Sequence, residues 1–216
     1  MTGNPVCGNN ITDMRKAYYR CHNLTGNPVC GPNVTNMHNT YFYCNNLTGN
    51  PICGNNVTNM QSTYQDCHNI TGNPICGNKV TDMGATYYCC NKLTGSPVCG
   101  DNVINMTYTY YRCHNLTGNP VCGPNVISMF GAYLNCYNLN ECTVNWYASN
   151  ITSATNCFYG KNNSRKYNIH VPANSTTFNT MIINNSSSLV GTSITWTDNG
   201  ICWYNTTYNI YIYPDL

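Results

Sequence analysis

Two files of cysteines, each advancing by 23 residues without an insertion, constrain this chain more than any other feature. One runs Cys7, Cys30, Cys53, Cys76, Cys99, Cys122, and the other Cys21, Cys44, Cys67, Cys90, Cys113, Cys136. A strict period of roughly 20–50 residues marks a solenoid or another array, in which each unit buries its core against its neighbours. Five apolar files keep the same step: Leu24 to Leu139, Val6 to Val121, Ile11 to Val126, Met14 to Met129 and Tyr18 to Tyr133. Stacked on themselves at the roughly 4.8 Å spacing of paired parallel strands, these files make one continuous core. In a representative unit its residues are Leu24, Val29, Cys30, Val34, Met37, Tyr41 and Cys44.

Within a unit, Asn27-Pro28-Val29-Cys30 followed by Gly31 reads as a short strand closed by a turn. Its proline removes one donor per rung, so the ladder is thin there. The file Asn4, Asn27, Asn50, Asn73, Ser96, Asn119 is expected to stack as an amide ladder that satisfies the backbone groups left over. Met37, Tyr41 and Cys44 fall at i, i+4 and i+7, one face of a short helical or 3-10 segment. After Cys136 the period loosens: Asn150-Ile151-Thr152-Ser153-Ala154 arrives two residues late, and Phe158 stands where a repeat tyrosine would. Lys166 to Pro172 reads as another rung, Ser186 to Ser188 as a loop, and the last runs as β-like, with Asp198-Asn199-Gly200 as a hairpin signal.

The order Cys-x-x-Leu-Thr, short strand, Val-Thr-x-Met, Tyr/Phe-x-x-Cys at this spacing resembles the BspA-like, or treponemal-type, leucine-rich repeat. The resemblance runs from Met1 to about Pro172. Two features depart from it: Asn27-Pro28-Val29-Cys30 stands where the family has Ile-x-Ile-Pro, and Met and Tyr replace Ile and Ala-Phe. The expected fold is therefore a leucine-rich-repeat-like solenoid, with a short parallel strand and a short helical or 3-10 segment per 23-residue coil. Six repeats occupy residues 1–137, two degenerate repeats residues 138–185 and a small C-terminal β cap residues 186–216. The resemblance implies attachment: bacterial surface proteins that bind host proteins or other cells, and tail or surface proteins of their phages. The expected location is extracellular, on a cell surface or on a virion. Met1 to Cys7 superimposes on Leu24 to Cys30, so the chain opens in mid-repeat and reads as an internal start in a longer protein.

Composition narrows the function classes. Only 7% of residues are charged and the net charge is +2, so the footprint of a nucleic-acid binder is missing. No run of about 18 apolar residues predicts a membrane span. Thirty-nine asparagines carry the polarity, and the fourteen Asn-x-Ser/Thr triplets are largely copies of repeat positions. The cysteines are expected as buried free thiols in two ladders, with disulfides between the files as the alternative. Outside the files, Cys142 with Cys157 is the first pair to test. His22, His68 and His114 recur on every second coil, about 10 Å apart, too far to share a metal. The seven acidic residues form no paired-carboxylate or Ser/His/Asp pattern, so neither an enzyme nor a cofactor is expected.

Recognition then falls to the positions that the repeat leaves free. These are Arg15, Lys16, Tyr19 and Arg20 in one unit, and His38, Phe42 and Tyr43 in the next. Gln61, Gln65, Tyr88, Tyr108, Tyr111 and Arg112 follow. Tyrosine and arginine dominate contact energetics at interfaces. The expected role is a non-enzymatic binding or adhesion module for a protein or glycan on another cell or surface. A structural fibre or surface-layer component, self-associating end to end through its N-terminal coil, is one alternative. An ice- or surface-binding threonine array is the other.

Overall fold

The computed structural model describes residues 2–139, 142–159, 167–172, 175–176, 197–198, 203–205 and 210–214. Its organising contact is the tyrosine file. Tyr18, Tyr41, Tyr64, Tyr87, Tyr110 and Tyr133 stack ring on ring, with successive centroids 5.3, 5.5, 5.7, 5.5 and 5.8 Å apart. Phe158 continues the stack at 5.5 Å from Tyr133. Each such pair contributes about 0.5–1.5 kcal/mol beyond the area it buries. The methionine, leucine and cysteine files close around it: Met37, Leu47, Cys67 and their equivalents are buried, except Cys21 of the first coil, which is half-buried. Isolated parallel bridges step from Asp13 to Asn36, Asn59, Asp82, Asn105, Ser128 and Ser153, one per coil.

The Asn-Pro-Val-Cys segment is not a strand in the first units, and the tyrosine is the reason. Tyr41 Oη donates to Val29 O at 2.7 Å and accepts from Val29 N at 2.9 Å. Tyr64 does the same to Ile52, at 2.8 and 3.0 Å. With the proline lacking a donor and the next residue held by a phenol, no ladder can form there. Pro28 and its equivalents are the buried residues of this segment, whereas Val29 and Cys30, expected in the core, are half-buried. The expected amide ladder is also replaced: among the described residues no amide of Asn4, Asn27, Asn50 or Asn73 donates to the next. Each lies instead against the glycine of the following coil. A Cβ at Gly49, which has φ +83°, would sit 1.9 Å from Asn27 Oδ1, so only glycine fits beneath the asparagine.

The Met37–Cys44 segment is not helical. It is a run of turns, and among the described residues helix is confined to Thr176. Thr40 N donates to Met37 O and Cys44 N to Tyr41 O, while Met37, Asn39, Tyr41 and Tyr43 donate their amides to the next coil at 2.8–3.0 Å. The i, i+4, i+7 spacing turned Met, Tyr and Cys inward as expected, but the backbone achieves this by alternating local and cross-coil bonds. Thr40 is fully buried, with its hydroxyl 2.8 Å from Met37 O and 2.9 Å from Met14 O. Thr63, Thr86 and Thr109 repeat the arrangement. Cys44 Sγ donates to Tyr18 O at 2.9 Å, as Cys67, Cys90, Cys113 and Cys136 do one coil on. Burial pushes the Cys67, Cys90 and Cys113 thiols well above their ordinary range. The fourteen described cysteines are free; Cys157 is among them, so the Cys142–Cys157 pairing does not form.

Towards the C-terminus the bridges widen into a sheet. Its strands are β1 (Val121–Cys122), β2 (Cys142–Trp146), β3 (Tyr167–His170), β4 (Thr197–Asp198), β5 (Trp203–Asn205) and β6 (Ile210–Tyr213). Their order is β1-β2-β3-β6-β5-β4. The β1-β2, β2-β3 and β3-β6 pairs are parallel, and the β6-β5 and β5-β4 pairs antiparallel. Val121 enters a strand where its counterparts do not, and there the phenol lets go: Tyr133 Oη is buried without a hydrogen-bond partner. The serine loop at 186–188 and the hairpin tip at Asn199-Gly200 lie outside the described residues.

Candidate functional site

The turn run gives each coil four outward positions, occupied in the first two coils by Arg15, Lys16, Tyr19, Arg20 and by His38, Asn39, Phe42, Tyr43. Two of the four are left-handed in each unit: Lys16 and Arg20, Asn39 and Tyr43, Ser62 and Asp66, Ala85 and Cys89, Tyr108 and Arg112, all with φ between 51° and 60°. For a side chain other than glycine, that conformation costs about 1–2 kcal/mol. The offset is visible in the backbone. Every one of these residues donates its amide to the next coil, Lys16 to His38 O at 3.1 Å, Arg20 to Phe42 O at 2.8 Å and Tyr108 to Phe130 O at 2.8 Å among them. The strain therefore belongs to the way the coils are bonded together, and it places side chains of any type on one face.

Two aromatic clusters form on that face. In the first, Tyr19 stacks on Phe42 at 4.9 Å, Tyr43 lies 6.2 Å from Phe42, and His22 meets Tyr43 edge-on at 5.2 Å. Lys16 Nζ and the Arg20 guanidinium sit 5.9 and 5.4 Å from the Tyr19 ring centre, within cation–π range. In the second, Tyr88 stacks on Tyr111 at 4.4 Å, Tyr108 is edge-on to Tyr111 and Phe130, and Arg112 lies 5.2 Å from the Tyr111 ring centre. Burial, with Tyr111 beside it, pushes the Tyr88 phenol up to about 12, so it remains a donor at neutral pH. Gln61 and Gln65 join neither cluster and occupy the coil between them, beside half-buried Asp66, whose carboxyl is raised by burial. Burial likewise pushes the neighbouring Cys89 thiol up to about 11.

Three contributors were not picked out from the sequence as site residues. Phe130 was legible by period alone, since it stands one step beyond His38, Gln61 and Thr107. His22, considered in the sequence only as a metal ligand, packs on Tyr43. Asp13 accepts from Arg15 N at 2.9 Å and from Arg15 Nε at 2.8 Å, fixing that guanidinium in place. Gly131 has a local reason to be glycine: a Cβ there would meet the Tyr108 ring at 2.6 Å.

Elsewhere on the coil, exposed or half-buried polar side chains bond along the stack. Thr35, Thr58 and Thr81 donate to the threonine carbonyl of the preceding coil at 3.1–3.2 Å, and Ile104 and Ile127 interrupt their row. Asn33, Asn56, Asn102 and Asn125 donate to backbone carbonyls one coil back at 2.7–3.0 Å. Among the described residues no three His, Cys, Asp or Glu side chains converge as metal ligands would.

A family model described as "Mycoplasma protein of unknown function, DUF285" matches residues 12–121, 74–170 and 100–196, overlapping stretches that follow the repeat. No curated protein and no solved structure matches the chain.

Proposed function

The chain belongs to the DUF285 family, and we propose that it is a non-enzymatic binding or adhesion module, recognising a protein or glycan on another cell or surface. The fold reading that goes with this is a leucine-rich-repeat solenoid of the BspA-like kind, displayed extracellularly, on a cell surface or on a virion. One observation carries the proposal: the turn face varies from coil to coil and gathers its aromatic and cationic side chains into two clusters. The threonine and asparagine rows, by contrast, direct their donors to their own backbone. Rigid aromatics beside arginine supply contact energy at small entropic cost. A scaffold locked by cross-coil bonds also limits what must be ordered on binding.

The threonine row gives less support to an ice-binding role, because its hydroxyl protons are engaged internally and two isoleucines break its regularity. The test is binding of the purified chain to a glycan array and to extracted cell-surface proteins, beside a Tyr19→Ala/Tyr88→Ala/Tyr111→Ala variant with unchanged circular dichroism. Saturable binding lost in the variant is expected. No binding by the parent chain to either class would overturn the proposal.

A further inference from the structure

Resting on that binding role, we infer that the first cluster is the anchor for an acidic glycan, one whose uronate carboxylate enters the cleft between Arg15, Lys16 and His38. The cleft has a volume of about 380 Å³ and, among the described residues, is lined by these three. Each is held. Arg15 is fixed through Nε by Asp13, and its terminal amino groups have no protein partner among the described residues. Lys16 is left-handed at φ 57° and lies beside the Tyr19 ring. The Asn39 side-chain amide lies 2.8 Å from His38 Nε2 and holds the ring in place. A planar guanidinium with its fork open, next to an ammonium, is the arrangement that suits a carboxylate.

The rings beside the cleft point the same way. Tyr19 and Phe42 cover each other's faces, with planes 13° apart, and cations cover Tyr19 further. What remains outward is ring edge and hydroxyl, the positive rim of the aromatic quadrupole and a hydrogen-bond donor. This surface attracts oxygen anions.

A peptide is the poorer fit. An extended peptide would need a free strand edge, yet the amides here are already bonded across coils: Lys16 to His38, Tyr18 to Thr40 and Arg20 to Phe42. A peptide's apolar anchors would need a pocket. The exposed large apolar residues of this face are two tyrosines, Tyr19 and Tyr43, both carrying hydroxyls.

The probes are trigalacturonate, its methyl ester, which keeps the shape and removes the charge, and pentaglutamate, titrated calorimetrically into the intact chain. An Arg15→Gln/Lys16→Asn variant tests the cleft; asparagine tolerates the left-handed position, as Asn39 does one coil on. The expected result is saturable trigalacturonate binding that weakens at least tenfold in the variant, weakens similarly on esterification, and falls as salt rises. Equal binding of the ester, or full binding by the variant, overturns the inference. So does pentaglutamate binding where trigalacturonate is silent, which would mark a peptide partner. Neutral glycans captured through Tyr88 and Tyr111 alone would leave the general binding role standing while this inference falls.

Discussion

Tyr64→Phe removes one oxygen from the centre of the stack, and its cost follows from two bonds. The lost hydroxyl accepts from Ile52 N at 3.0 Å and donates to Ile52 O at 2.8 Å. Pro51 precedes Ile52 and offers no donor to compensate. Each bond lost costs about 0.5–1.5 kcal/mol if water replaces it and about 1–3 kcal/mol if the group stays dry. Ile52 is half-buried, so the sum falls at about 2–4 kcal/mol. Tyr133→Phe is the matched control at the same repeat position. Tyr133 is 1% exposed, its hydroxyl has no partner, and Phe158 already replaces tyrosine one coil on. Its loss should be neutral, or stabilising by up to about 1 kcal/mol. Urea midpoints at unchanged m-value measure the difference, and amide exchange at Ile52 localises it. Equal losses for the two variants, or none for either, would refute the reasoning that the phenol replaces the strand ladder.

Alkaline pH should unfold the array. Cys67, Cys90 and Cys113 titrate well above the ordinary 9.0 when folded, so unfolded thiols ionise first. The stabilisation is whole below pH 9 and is lost above it, at about 1.4 kcal/mol per pH unit per buried thiol; Tm scanned from pH 7 to 11 reads the slope. Ala85→Gly should stabilise by about 0.5–1 kcal/mol, since left-handed strain exceeds the entropy glycine adds to the unfolded chain. Ala17→Gly, at a position with no positive φ, should destabilise, and a matching sign for the two would count against the strain argument. Because the described cysteines are free, reductant should leave Tm unchanged. Native alkylation should label half-buried Cys30 and Cys53 ahead of Cys67 and Cys90, as peptide mapping would show.

The period made the core legible. Leu24, Val34, Met37, Tyr41 and Cys44 could be placed because a residue that recurs every 23 positions has its own copy as a neighbour, whatever the local backbone does. The backbone itself was harder to read. Spacing i, i+4, i+7 identifies which side chains face inward, and a run of turns with left-handed residues satisfies it as well as a helix does. Nothing in Lys16, Tyr43 or Cys89 announces a positive φ, because the cross-coil bonds that compensate for it come from a coil 23 residues away. The tyrosine hydroxyl was overlooked for a similar reason. Proline's missing donor was evident from sequence, yet the group that completes its neighbour's hydrogen bonding lies twelve residues on, as Tyr41 does from Val29. On the turn face, the free positions are legible by their variability within the repeat. Their sorting into two clusters depended on ring geometry, which sequence order does not contain.

On the proposed reading, recognition belongs to the turn face and cohesion to the rest of the coil, a division of one molecule into two sets of residues. Two fold-matched variants compared in one adhesion assay test it most directly. One carries Tyr19→Ala, Phe42→Ala, Tyr88→Ala and Tyr111→Ala; the other carries Thr35→Ala, Thr58→Ala and Thr81→Ala in the threonine row. The first should lose adhesion while keeping its circular dichroism, at about 0.5–1.5 kcal/mol for each stack removed, and the second should keep adhesion at about 0.5–1.5 kcal/mol for each hydroxyl bond removed. Adhesion abolished by the threonine changes and untouched by the aromatic ones would contradict it.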